Sequence, residues 1–174
     1  MSDNQTIRDM LGRRSVRNFE DRQVDEQTLS QIIEAGQYAA SAKDRQPTHL
    51  VVIQDPATIA RLSKMNAEIM GRDGDPFYGA PTVIVVLADA GCPTAVEDGS
   101  LVLGNLMLAA HALGVGSCWI NRAREEFASP EGKEMLAGWG VSGDWIGVGH
   151  CILGYAKGAL PEASPRKEGF VTRV

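Results

Sequence analysis

Residues 97–113 hold the segment that most limits how this chain can fold. Leu101, Val102, Leu103, Leu106, Met107, Leu108, Ala109, Ala110 and Leu113 leave almost no polar side on a helix of that length. A helix that is apolar nearly all round cannot keep one face in water; it belongs at the centre of a fold or against a second subunit. Gly104 would let a neighbouring backbone come close. Gly114 and Gly116 end the segment, and Ser117-Cys118-Trp119-Ile120 begins something extended. The same interior must also take Thr82 to Leu87, a continuous run rich in β-branched residues that reads as a strand covered on both faces.

Shorter elements fit around these two. Ile7, Met10 and Leu11 stand at helical spacing in residues 4–11, and Gly12 stops the pattern. Asp25 can cap a second helix, with Val24 and Leu29 as its staple and Leu29, Ile32, Ile33 and Gly36 on one face. Residues 49–53 read as a strand between Gln46-Pro47 and Asp55-Pro56. Pro56 then opens a helix with Ile59, Leu62, Met65 and Ile69 inward. Gly71 to Pro76 is a loop, a short helix follows Ser129-Pro130, and Trp145 to Tyr155 is a strand interrupted by glycines. The tail from Lys157 to Val174 has no periodicity. Helices and strands mix without regular βαβ alternation, which makes the chain α+β, a single domain over residues 1–174.

The charge balance narrows the function. A formal net charge of −5 argues against general nucleic-acid binding. The longest apolar run, Val83 to Ala88, is far too short to cross a bilayer. Cys92, Cys118 and Cys151 are scattered and odd in number, which suits reduced thiols and a cytoplasmic location. His49, His111 and His150 lack metal-ligand spacing, and each reads as a satisfied structural histidine.

Against that acidic background, Arg13-Arg14-Ser15-Val16-Arg17-Asn18-Phe19 is a local cluster of three guanidinium groups with a hydroxyl among them. Arginine forks grip phosphate oxygens in pairs, and Gly12 just before them allows a loop whose backbone N–H groups could meet the same anion. Alone, the cluster would better suit a solvated basic face with Arg17 and Asp21 paired. Familiar nucleotide motifs are absent: Gly114-Val115-Gly116-Ser117 lacks a P-loop lysine, and Gly147-Val148-Gly149-His150 lacks the third glycine of a dinucleotide fingerprint. Both sets read as turn or packing glycines. Trp119, Trp139 and Trp145 read as core, and Cys118 as a packing thiol.

Taken together and in order, several stretches resemble the FMN-dependent nitroreductases. They are the Arg13–Phe19 segment, Ala39-Ala40-Ser41-Ala42-Lys43-Asp44-Arg45-Gln46-Pro47, Leu106 to Asn121, and Ile152-Leu153-Gly154-Tyr155 followed by Arg166-Lys167. The resemblance implies a nitroreductase-like fold, a central mixed sheet flanked by helices, in an interlocked homodimer with two FMN sites at the subunit interface. By position, Arg13 with Arg166 and Lys167 would hold the phosphate, and Arg14 and Ser15 the phosphate and ribityl chain. Arg17 and Asn66 would reach the pyrimidine side. Ser41, Asp44 and Gln46 would come from the other subunit, and Trp119, Ile120 and Asn121 would run past the ring. Asp44 stands where the family usually has asparagine, so it can accept from the flavin but not donate. Ala40 replaces a common proline and Thr48 a frequent aromatic.

The activity so implied is ping-pong hydride transfer from NADH or NADPH through FMN to a nitroaromatic, quinone or similar small electrophile. No catalytic side chain and no metal are required. Two alternatives accompany it: a flavin-binding protein that stores or senses FMN without turnover, and a reductive dehalogenase of the same family.

Overall fold

The computed structural model describes residues 3–174. In chain order the elements are α1 (Gln5–Gly12), α2 (Glu26–Gln37), a 3-10 turn (Ala42–Asp44), β1 (Thr48–Ile53), α3 (Pro56–Met70), β2 (Thr82–Asp89) and α4 (Ala95–Ala112). Then come β3 (Gly116–Ile120), α5 (Ala123–Ala128), α6 (Pro130–Gly138) and β4 (Trp145–Gly154). The α+β class holds.

Local chemistry accounts for most boundaries. The Asp25 carboxylate accepts from Thr28 N–H at the start of α2, and Asp55 from Thr58 N–H at the start of α3, where Pro56 occupies the first turn. Gly71 ends α3 in the left-handed conformation, φ 66°. Ser129 caps α6 ahead of Pro130. No side-chain cap bond starts α4, so tertiary packing is what holds it. The six-residue α5 carries no periodicity long enough to be read from sequence.

The strands form one sheet in the order β1-β2-β4-β3. A mixed sheet is expected from the resemblance, but all three ladders are antiparallel. Among the described residues, parallel pairing is confined to a bridge between Ser15 and Ser117, because the arginine segment meets the edge of β3 for one residue pair before Phe19 bridges to Ala156 instead. Strand β2 lies inside the sheet and is buried from Thr82 to Ala88. Val83, Val85 and Leu87 face one half-core with Leu62, Met65, Phe77 and Phe127. Ile84, Val86 and Ala88 face the other, with Leu29, Ile32, Val102, Leu103 and Leu106. The period of two divides one apolar run between two layers.

A β-bulge in β4 shapes the far side of the sheet. Val86 pairs with Gly149 and Leu87 with Gly147, leaving Val148 as the extra residue. A Cβ on Gly147 would stand 2.1 Å from the Ala123 carbonyl oxygen, and one on Gly149 would stand 2.3 Å from Trp119 Nε1. Both are packing glycines, as expected, and they let α5 and Trp119 press onto β4.

Several apolar side chains find no cover within the chain. Ile7, Met10 and Leu11 of α1 are 41%, 54% and 63% exposed, and Leu101 of α4 is 50% exposed. Ile69, expected inward, is 40% exposed in the last turn of α3. Residues 157–174 are exposed throughout. Among the described residues, no helix is long and apolar enough to cross a membrane.

Gly147→Ala should therefore destabilise the fold by about 1–3 kcal/mol, because the obstacle is a backbone carbonyl that cannot rotate away. Gly138→Ala, with nothing within 4 Å of the new methyl, should change stability by less than about 0.5 kcal/mol. Urea unfolding midpoints of the two variants check the contrast.

Candidate functional site

The arginine cluster is placed by backbone pairing. Gly12 ends α1 and Arg13 turns the chain out of it, its N–H still bonded to the Asp9 carbonyl at 2.9 Å. Val16 N–H then donates to the Ser117 carbonyl at 2.9 Å, and Glu20 N–H to the Tyr155 carbonyl at 2.9 Å. The segment is thereby laid between β3 and the residues that follow β4. Val16 is buried and fits only because position 116 is glycine: a Cβ there would lie 2.9 Å from Val16 Cγ2.

The guanidinium groups are unevenly satisfied. Arg14 Nη1 donates to the carbonyls of Leu11 (2.8 Å) and Arg13 (2.7 Å). Arg14 Nε and Arg13 Nη1 are buried and have no hydrogen-bond partner. A buried donor left unpaired costs about 1–3 kcal/mol, more when charged, so each of these two nitrogens calls for an acceptor. An oxyanion of the phosphate-monoester type fits that donor set. Arg17 is exposed, with its guanidinium carbon 5.9 Å from the centroid of Tyr78. Tyr78 itself holds φ 55°, an unusual conformation for an aromatic residue and a signal that only the structure supplies.

A second group lies on the loop before β1. Lys43, Asp44 and Gln46 hold φ of 56°, 53° and 49°, three non-glycine residues in the left-handed region within four positions. Such strain persists only where the surroundings enforce it. Asp98, buried on α4, accepts from Ala42 N–H at 3.0 Å and from the Thr94 hydroxyl at 2.9 Å. Ser41 Oγ accepts from Gln46 N–H at 3.0 Å, and Asp44 accepts from the Gln46 side-chain amide at 2.9 Å. Ser41, Asp44 and Gln46 are thus tied to one another, and no hydrogen bond among the described residues joins them to the arginine segment. Asp98 was missed in the sequence, although its i, i+4, i+8 spacing with Val102 and Leu106 puts it on the buried stripe of α4.

Trp119, Ile120 and Asn121 run from β3 into the turn before α5. Trp119 is 36% exposed and Ile120 is buried. Asn66 is expected on the pyrimidine side, yet the structure turns its amide inward. It is fully buried, Nδ2 donating to the Asn121 carbonyl at 2.8 Å and to Glu126, and Oδ1 accepting from Arg122 at 3.3 Å. The reason is the buried Glu126 carboxylate, which needs a donor more than an exposed site does. Arg166 and Lys167 lie on the exposed tail, where the Arg166 guanidinium bonds to the Ser164 carbonyl.

A cavity of about 960 Å³ lies elsewhere, between α3 and the loop 71–81, and none of the expected site residues line it. A smaller one of about 330 Å³ is bordered by Arg14, Val16, His111 and Tyr155. Burial pushes the Cys151 thiol well above its ordinary range, with the neighbouring Cys118 adding to the effect and Arg13 opposing it. That thiol is a packing group.

Comparison with known proteins places this geometry. The profile described as "Nitroreductase family" matches residues 10–74 and 70–155. A protein of Archaeoglobus fulgidus provisionally named NADH dehydrogenase/NAD(P)H nitroreductase is 30% identical over 83% of this chain and 82% of its own length. One of Methanothermobacter thermautotrophicus with the same provisional name is 31% identical over 62% of this chain, and the match spans only 56% of that relative. Among solved structures, a nitroreductase with bound FMN from Bacteroides fragilis superposes with a TM-score of 0.90 at 28% identity, covering 98% of this chain and 99% of the other. Fold, order of motifs and relatives agree, and this chain belongs to the nitroreductase family.

Proposed function

We propose that the protein is an FMN-dependent oxidoreductase that draws hydride from NADH or NADPH and delivers it to a nitroaromatic, a quinone or a similar small electrophile. One observation carries the reading: Arg13 Nη1 and Arg14 Nε are buried cationic donors without acceptors. The phosphate of FMN has nearly two negative charges and the acceptor oxygens that both nitrogens lack. Bound FMN supplies the hydride chemistry, and the polypeptide supplies position and field.

In this reading Arg13, Arg14 and Ser15 grip the phosphate end. Arg17 places positive charge at the pyrimidine edge, where negative charge collects on reduction, and so favours the reduced state. Tyr78 fixes the direction of Arg17 from its own strained backbone position. Trp119, Ile120 and Asn121 lay their backbone beside the reactive edge of the ring. No side chain needs to act as acid, base or nucleophile.

The same reading makes the protein a homodimer. Support comes from the uncovered Ile7, Met10, Leu11 and Leu101 and from the exposed tail, whose Arg166 and Lys167 would cross to the partner's phosphate. Ser41, Asp44 and Gln46 would serve the partner's ring in return. Asp98 keeps that loop in shape before the flavin binds.

Two variants test the site. Arg13→Met keeps the apolar stem and removes the unpaired donor, so FMN affinity should fall roughly tenfold to a hundredfold while the melting temperature of the apoprotein does not fall. Fluorescence titration and thermal melts check both halves; unchanged affinity would remove Arg13 from the site. Arg17→Ala should weaken FMN binding and slow reduction of the holoprotein by NADH, followed anaerobically by loss of flavin absorbance. Full flavin retention with unchanged rates would remove Arg17 in the same way. If neither NADH nor NADPH bleaches the wild-type holoprotein, the storage or sensing alternative replaces the enzyme.

A further inference from the structure

Behind the β3–α5 turn lies a polar cluster that the proposed chemistry does not use. Asn66 of α3, Glu126 of α5 and His150 of β4 are each fully buried. His150 Nε2 stands 2.8 Å from Glu126 Oε2, close but not aligned as a hydrogen bond. The other Glu126 oxygen accepts from Asn66 Nδ2. The rings of Phe77 and Phe127 flank His150 at centroid distances of 5.1 and 6.2 Å and keep water from the pair.

Such a cluster is expensive to bury. Removing a carboxylate from water costs several kcal/mol, and apolar side chains of similar volume often serve stability as well or better. What the cluster does contact is informative. His150 Nδ1 faces the Ile120 carbonyl at 3.4 Å. Asn66 donates to the Asn121 carbonyl at 2.8 Å, and Arg122 donates to Asn66 Oδ1 at 3.3 Å. Three consecutive residues, Ile120, Asn121 and Arg122, are thus held from behind. The third has φ 79°, a left-handed conformation that costs a non-glycine residue about 1–3 kcal/mol unless its surroundings impose it.

We infer that Glu126, His150 and Asn66 form a positioning cluster, which fixes the Ile120–Arg122 turn in its final shape before the cofactor arrives. The inference rests on the proposed placement of the flavin along Trp119–Asn121. None of the three side chains reaches the surface, so they act through the backbone of the turn and are not catalytic residues. A misplacement of about 1 Å in such a turn can cost a hundredfold in rate, which gives the buried polar cluster a functional return. Arg122, which could pass for a surface cation, locks the turn from its outer end through Asn66.

Glu126→Gln and His150→Gln test this in the FMN-loaded protein. Each variant should retain one FMN per chain and its assembly, yet show a shifted flavin midpoint potential and a roughly tenfold or greater drop in the rate of flavin reduction at saturating NADH, with little change in apparent NADH affinity. Full FMN content with unchanged potential and unchanged rate would overturn the proposal. If the variants fail to fold, amide exchange in the wild-type apoprotein decides: residues 122–123, beyond the stretch placed against the ring, should be as protected without FMN as with it, and protection there that appears only on adding FMN would overturn the proposal. Failure of the wild-type protein to bind FMN would instead sink the functional reading, while slow amide exchange at residues 122–123 of the apoprotein alone would still show a turn held by the cluster.

Discussion

The hydrogen bond from Val16 N–H to the Ser117 carbonyl joins the start of the chain to the edge of β3, and the site depends on it. It holds Arg13 and Arg14 against a sheet edge that would otherwise be open, with guanidinium nitrogens drawn out of water and left unpaired. It also sets the arginine segment beside the strand that carries Trp119, Ile120 and Asn121. Gly116 makes the approach possible, because any side chain there would strike Val16. A cation buried in this way destabilises the protein by itself and is offset only when an anion arrives.

The rest of the fold supplies rigidity to that edge. Strand β2 divides its side chains between two half-cores, so the sheet cannot slip by one residue without exposing an entire face. The β4 bulge, with Gly147 and Gly149 on either side of Val148, draws α5 and Trp119 onto the sheet. Asp98 does for the strained 41–46 loop what the Asn66, Glu126 and His150 cluster does for the β3–α5 turn. In both places a buried polar side chain holds backbone that its own sequence would not hold.

Periodicity revealed the parts of the molecule that obey one local rule. Thr82 to Leu87 announced a strand covered twice, Asp25 and Pro56 announced helix starts, and the crowding of apolar residues from Leu101 to Leu113 announced the central helix. The order of the Arg13–Phe19, Ser41–Gln46 and Trp119–Asn121 stretches was legible through resemblance. What stayed hidden depends on partners distant in sequence. Glu126 sits in a charged six-residue helix, and nothing local says that His150, 24 positions on, will meet it. The inward turn of the Asn66 amide follows from that meeting. Antiparallel pairing throughout the sheet was hidden for the same reason, since the parallel character implied by the resemblance is reduced to one bridge at Ser15. Tyr78 and Arg122 look ordinary until their backbone angles are seen.

The central claim is that buried guanidinium groups on the edge of β3 wait for the phosphate of a flavin mononucleotide. Titrating the apoprotein with FMN and, separately, with riboflavin tests it most directly, because the two ligands differ only in that phosphate. The account predicts that FMN binds at least roughly a hundredfold more tightly, the worth of two charge-assisted contacts. Equal affinity for the two ligands, or binding of neither, would contradict it.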